Sequence, residues 1–248
     1  MLAFLFGLAV LASLGTTALI GLDVLPASPL VMAIVFVAHG VFALGFFRGY
    51  GGYRALHRLV HEGRGELYDL AVRRSIDKAR FREFRDHFKL RRIEGLALCG
   101  LGLRALEAAE EHRPLASNAR VSTRLAAAAA EAEANLCLGQ LEWARVSLDR
   151  VLEVRGHDEH PGIRAMRGRL AHCRGDHAGA ASLLKAVKGA GEWPVKGAVT
   201  ARNHTWYADA LQGLGKAGEA AQAYRTAARV APHSFWGAQA VRKAAALR

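Results

Sequence analysis

Three windows in the second half of the chain repeat one pattern of residue sizes, and that pattern limits the folds available. Gly139, Gly175 and Gly215 each stand where a helix closes. Ala144, Ala180 and Ala220 follow five residues later. Leu148, Leu184 and Tyr224 come four after that, and Val151, Val187 and Ala227 three further on. The windows lie 36 and then 40 residues apart. Glycine ends a helix at a tight turn because it adopts a left-handed conformation without strain. The small alanine lets the next helix pack closely on the first, and the large residue fills the space beside it. Such a hairpin cannot bury its apolar face alone, so its neighbours must stack. The expectation is an all-α fold, clearest in GLGKAGEAAQAYRTAARVAP.

The pattern resembles the tetratricopeptide repeat (TPR) family. In the last window Gly215, Ala220, Tyr224, Ala227 and Pro232 stand at that family's spacing. The middle window keeps Gly168, Gly175, Asp176 and Ala180, and the first keeps Gly139, Ala144 and Leu148. Ala128, Arg164 and His204 replace the family's early bulky aromatic, and residues around Trp193 and Pro194 form an insertion. The resemblance implies a repeat domain over 117–248, with units at about 125–158, 161–194 and 201–234 and a capping helix over 234–248. It also implies a protein-binding concave face lined by first-helix positions. Carried over by position, these are Arg169, His172, Arg202, Thr205, Asp209 and Gln212. The basic members imply acidic peptide segments as ligands.

The first 47 residues are a different material. They contain no Lys or Arg and one acidic side chain, Asp23, while all 34 basic residues follow. The net charge of +12 includes Asp23, so the polar part carries +13. Residues 1–22 and 30–47 are apolar and approach the roughly 20 residues that cross a bilayer core. DVLPASP, with two prolines, breaks them apart. A transmembrane helical hairpin over 1–47 is therefore expected ahead of the α-helical solenoid. The rival reading, a cleaved signal peptide, lacks a basic n-region. Arg48, Arg54, Arg58 and Arg64 follow the second segment and the loop has no basic residue, which puts both termini in the cytoplasm. Cys99, Cys137 and Cys173, an odd number without a CxxC pair, fit reduced thiols there.

Between anchor and repeats come a glycine-rich juxtamembrane linker over 48–65 and a basic helical connector over 66–113. Within it, residues 73–92 hold nine Lys/Arg against three Asp/Glu, with Phe81, Phe84 and Phe88 on one helical face. That stripe reads as core aromatics under a solvated charged face. Its sharper alternative is a helix resting on anionic membrane lipid. Membrane proximity accounts for the charge without nucleic acid.

Candidate chemistry is sparse. His157, Asp158, Glu159 and His160, with His172, Cys173 and His177 nearby, match no metal-site spacing and read as turn residues. No phosphate loop or catalytic triad order is present, so neither enzyme activity nor a cofactor or metal is expected. His39, in the middle of the second apolar segment, is the exception. An ionisable residue there is a functional hypothesis, set against a hydrogen bond to Ser13 or Thr16 that pins the hairpin. The leading expectation is a membrane-anchored scaffold or adaptor that binds proteins at the cytoplasmic membrane face, extending to assembly of a membrane complex. The alternative is a membrane component that handles a proton or small molecule through His39.

Overall fold

The computed structural model describes residues 52–79, 82–112, 121–153, 160–190 and 195–247. Both expected spans, the loop between them and His39 lie outside these residues, as do Phe81, His157, Asp158, Glu159, Trp193 and Pro194. The chain divides into two units, Met1–Ala55 and Leu56–Arg248, and the second holds the helical array. Every described element is helical, as the sequence predicts. Among the described residues no helix is long and apolar enough to cross a membrane.

A short helical segment over 56–61 opens the second unit. It is followed by α1 (Gly65–Lys78), α2 (Arg82–Leu98), α3 (Gly102–Glu111), α4 (Val121–Cys137) and α5 (Leu141–Leu152). Then come α6 (Pro161–Cys173), α7 (His177–Val187), α8 (Lys196–Gly213), α9 (Ala217–Val230) and α10 (Phe235–Ala245). The stretch expected as one basic connector is thus three helices, and Gly63 just before it and Gly100 within it make the same turn as the glycines of the three repeat windows. Gly63, Gly100, Gly139, Gly175 and Gly215 all have φ between 66° and 88°. At each, the glycine N–H donates to the carbonyl three residues back, and the next N–H donates to the carbonyl five back. This pair of bonds satisfies helix-end carbonyls otherwise left without partners.

The residues after each turn pack as their sizes predict. Ala105, Ala144, Ala180 and Ala220, five residues beyond their glycines, are fully buried. Leu148, Leu184 and Tyr224 fill the positions four further on and are also buried. Pro232 lies exposed in the turn after α9. Helices α2 and α3, α4 and α5, α6 and α7, and α8 and α9 pair across their turns, and α2, α4, α6, α8 and α10 pack in sequence. Helix α8 is buried on most sides, from Ala198 to Leu211, so it forms the centre of the array. Phe88 turns inward against the cluster around Tyr68 and Val72, which makes it a core aromatic.

The array is not open-ended. Leu56, Val60 and Leu98 share a core with Ala198, Val195 and Val199 at the start of α8. Gly100 lies against the Phe235 ring, and Gly63 against the backbone of His233 to Phe235. The first hairpins therefore touch the last ones. This contact predicts a contrast between two identical substitutions. Gly139→Ala meets only the left-handed backbone penalty, about 1–2 kcal/mol, because nothing lies near its absent Cβ. Gly100→Ala carries the same penalty and drives a methyl into the Phe235 ring, adding about 1–3 kcal/mol of overpacking. Urea unfolding should rank Gly100→Ala clearly below Gly139→Ala. Equal midpoints would mean the ends do not touch.

The same region is acid-sensitive. Burial, with the Arg91 guanidinium as the next cause, pushes His57 down to about 3 and His87 down to about 4. The unfolded chain takes up these protons near the ordinary histidine value of 6.5, whereas the folded protein refuses them until pH 4 or below. Between those limits the unfolded state binds more protons, so stability rises with pH through the window and is lost on acidification. Unfolding midpoints should fall from pH 7 to pH 4.5, and His57→Gln should flatten that slope. A flat profile in the natural protein would count against burial of the neutral imidazoles.

Candidate functional site

The first helices of successive hairpins form one face, and a cavity of about 330 Å³ sits on it, reached by α2, α4, α6 and α8. Leu98, Ala130, Met166 and Val199 supply apolar wall. Arg91 and Glu94 line one side, and Nη1 of Arg91 donates to Glu94 Oε2 at 2.6 Å. Elsewhere in the lining Arg202 Nη1 approaches Glu133 Oε1 at 2.5 Å, as an ion pair rather than an aligned hydrogen bond. Both partners are almost wholly buried. Arg202 also donates through Nε and Nη2 to Asn203 Oδ1, at 3.1 and 3.0 Å, and stacks over Trp206 with its guanidinium carbon 4.7 Å from the ring centre. Asn203 in turn donates to the carbonyls of Val187 and Ala190, at 3.2 and 3.1 Å, and so ties the turn after α7 to α8. His160, whose Nδ1 accepts the Gly162 N–H at 3.2 Å, caps α6 at the cavity edge.

The six residues expected on the concave face fall into two groups, both engaged within the array. Arg202 belongs to the cavity wall. Thr205 has no exposed surface; its hydroxyl donates to Ala201 O at 2.8 Å. Asp209 is the hub of the second group. Its Oδ2 accepts from Arg169 at 2.7 Å, and its Oδ1 accepts from the Tyr224 hydroxyl at 2.5 Å and from Lys243 Nζ at 2.6 Å. Gln212 is exposed, with its Oε1 3.1 Å from the Tyr224 hydroxyl. Burial and the adjacent Asp209 carboxylate both push the Tyr224 hydroxyl up, so it stays protonated and donates. His172, beside Arg169, meets His177 across the Gly175 turn, Nδ1 to Nδ1 at 3.1 Å. Burial first, then Arg169, lowers its proton affinity. Cys173 lies between these histidines in sequence, yet the described residues include no cluster of three or more metal-ligating side chains. Burial pushes the Cys99 and Cys137 thiols up to about 12, which leaves both unreactive at neutral pH.

A second feature runs along the glycine turns. Leu67, Leu103, Leu138, Trp143 and Leu214 are large apolar residues at least 40% exposed, and each lies within four positions of a turn glycine. In stacked hairpins those turns share one edge. Ion pairs link successive turns along the row: Arg104 with Glu66, and Arg174 Nη2 with Glu142 Oε1 at 2.6 Å. Sequence reasoning overlooked both this row and the cavity wall. The row was findable, since Leu103 and Trp143 follow their glycines closely. The wall was not, because Glu133 and Arg202 stand far apart in sequence.

No family model matches the chain, and neither a curated protein nor a solved structure matches it.

Proposed function

We propose that this chain is a TPR-like helical-repeat adaptor, tethered to a membrane by its apolar N-terminal segment, that docks a partner protein along its turn edge. The row of exposed apolar side chains at that edge carries the reading. Several large exposed apolar side chains along one edge are a common mark of an interaction surface, and aromatic anchors such as Trp143 dominate many interfaces. The ion pairs that link successive turns supply the polar groups that surround an interface core. Arg169, Arg202, Thr205 and Asp209, expected on the concave face, are tied into internal bonds, so the edge suits partner docking better.

Quantitative crosslinking of the full chain in native membranes tests this. Trp143→Asp and Leu103→Asp, alone and together, should weaken the same crosslinked adduct by about tenfold or more, while melting stays within roughly 1–2 °C of the natural protein, as surface changes usually allow. Adducts that persist unchanged in the double variant would refute edge docking.

A further inference from the structure

We propose that the inner cavity binds a small organic carboxylate carried on an apolar body of roughly ten heavy atoms, a function separate from docking at the turn edge. The volume limits the size of the ligand. About 330 Å³ lies at the small end of ligand cavities, and packing at protein density leaves room for roughly ten heavy atoms. Because the first hairpins touch the last, the inner face is a short chamber rather than a groove along which a long peptide or a helix could lie.

The described lining residues carry an excess of positive charge. Two carboxylates line the cavity and each already holds an arginine: Glu94 with Arg91, and Glu133 with Arg202. Lys196 lines it too, is exposed, and among the described residues belongs to no ion pair. Among the described lining residues three cations stand against two anions, which leaves one positive charge for the ligand to answer. Helix α8 begins at Lys196, so its dipole adds to the same preference. A cationic ligand would face Arg91, Lys196 and Arg202, and both carboxylates among the described lining residues are already paired.

The body of the ligand is set by Leu98, Ala129, Met166 and Val199, which offer hydrocarbon and no hydrogen-bonding side chain. Asn203, also in the wall, has spent its amide hydrogens on Val187 and Ala190. Affinity therefore divides into a charge contact at the mouth and apolar burial behind it. Binding requires no covalent step.

Calorimetric titration of the full chain in lipid nanodiscs, with empty nanodiscs as blank, tests the assignment. The probes are 4-phenylbutanoate, 4-phenylbutan-1-ol and 4-phenylbutan-1-amine, which share a body and differ in charge. Expected are one carboxylate site per chain, at least tenfold weaker binding of the alcohol, and no binding of the amine. Lys196→Glu, at an exposed position, should weaken the carboxylate about tenfold or more without changing the melting temperature. Ala129→Phe, which fills the chamber, should abolish binding. The proposal fails if the carboxylate does not saturate, if the amine binds as tightly, or if Lys196→Glu leaves affinity unchanged. It also fails if an acidic hexapeptide binds where the small carboxylate does not. None of these outcomes bears on crosslinking through Trp143 and Leu103.

Discussion

Replacing Asp209 with alanine should cost about 3–5 kcal/mol, the usual penalty for removing one side of a buried charged network. Asp209 is 6% exposed and accepts from Arg169, Tyr224 and Lys243. These donors come from α6, α9 and α10, so one carboxylate on α8 joins three neighbouring helices. Its loss strands the Arg169 guanidinium, which is four-fifths buried, and leaves the Tyr224 hydroxyl with Gln212 Oε1 as its remaining acceptor. For a domain of this size each kcal/mol moves the melting temperature by roughly 2–4 °C, so a drop of about 10 °C or more is expected. Helix α10, held through Lys243, should lose amide protection first. Lys243→Met should cost much less, because that side chain is 38% exposed. A calorimetric shift for Asp209→Ala no larger than that of Lys243→Met would show that the hub is not the fastening it looks to be.

Arg202→Glu should be at least as damaging, and its pH dependence should identify the cause. The substitution sets a second carboxylate against Glu133, with both positions almost closed to water. Two such groups cannot both stay ionised, so one is held protonated above its ordinary range. The folded variant then binds a proton that the unfolded chain releases near pH 4–5. Its stability must therefore fall as pH rises from about 5 to about 7, opposite to the trend that His57 and His87 impose on the natural protein. A loss of about 3–5 kcal/mol at neutral pH is expected. Pairing Arg202→Glu with Glu133→Arg should recover much of it by restoring opposite charges. If the double variant is no better than the single one, geometry rather than charge pairing holds the wall. Either way Arg202 and Asp209 are structural, so their substitution cannot report cleanly on partner binding.

The turns show what could be read in advance. Gly139, Gly175 and Gly215 stand out because alanine and a large residue follow at fixed offsets, and the structure places each in the left-handed conformation that such a turn requires. Gly100 makes the same turn with Ala105 buried five residues on, yet Ala109 stands where the other windows have a large residue. Gly63 is followed by Tyr68 where the others have alanine. Both turns are legible as glycines and not as members of the series, because the packing pattern after them is diluted.

The concave-face residues show the limit of positional transfer. Arg169, Arg202 and Asp209 sit on first helices as expected, but their partners Glu133, Tyr224 and Lys243 come from other helices. Whether a first-helix side chain meets a ligand or a neighbouring helix depends on how closely the helices approach, and no spacing within one helix records that.

The sequence by itself determined the local chemistry of this protein: helices throughout the described residues, glycine turns, alanine contacts within hairpins, and a division between an apolar start and a basic remainder. These depend on residues near one another in the chain, where backbone preference and side-chain volume decide the outcome. Tertiary structure alone decided that the ends meet across Gly100 and Phe235, that Glu133 and Arg202 pair in the wall of a cavity, and that Asp209 fastens three helices. Those contacts join residues far apart in the chain, and they form only when accumulated rotation from one hairpin to the next brings the chain back on itself.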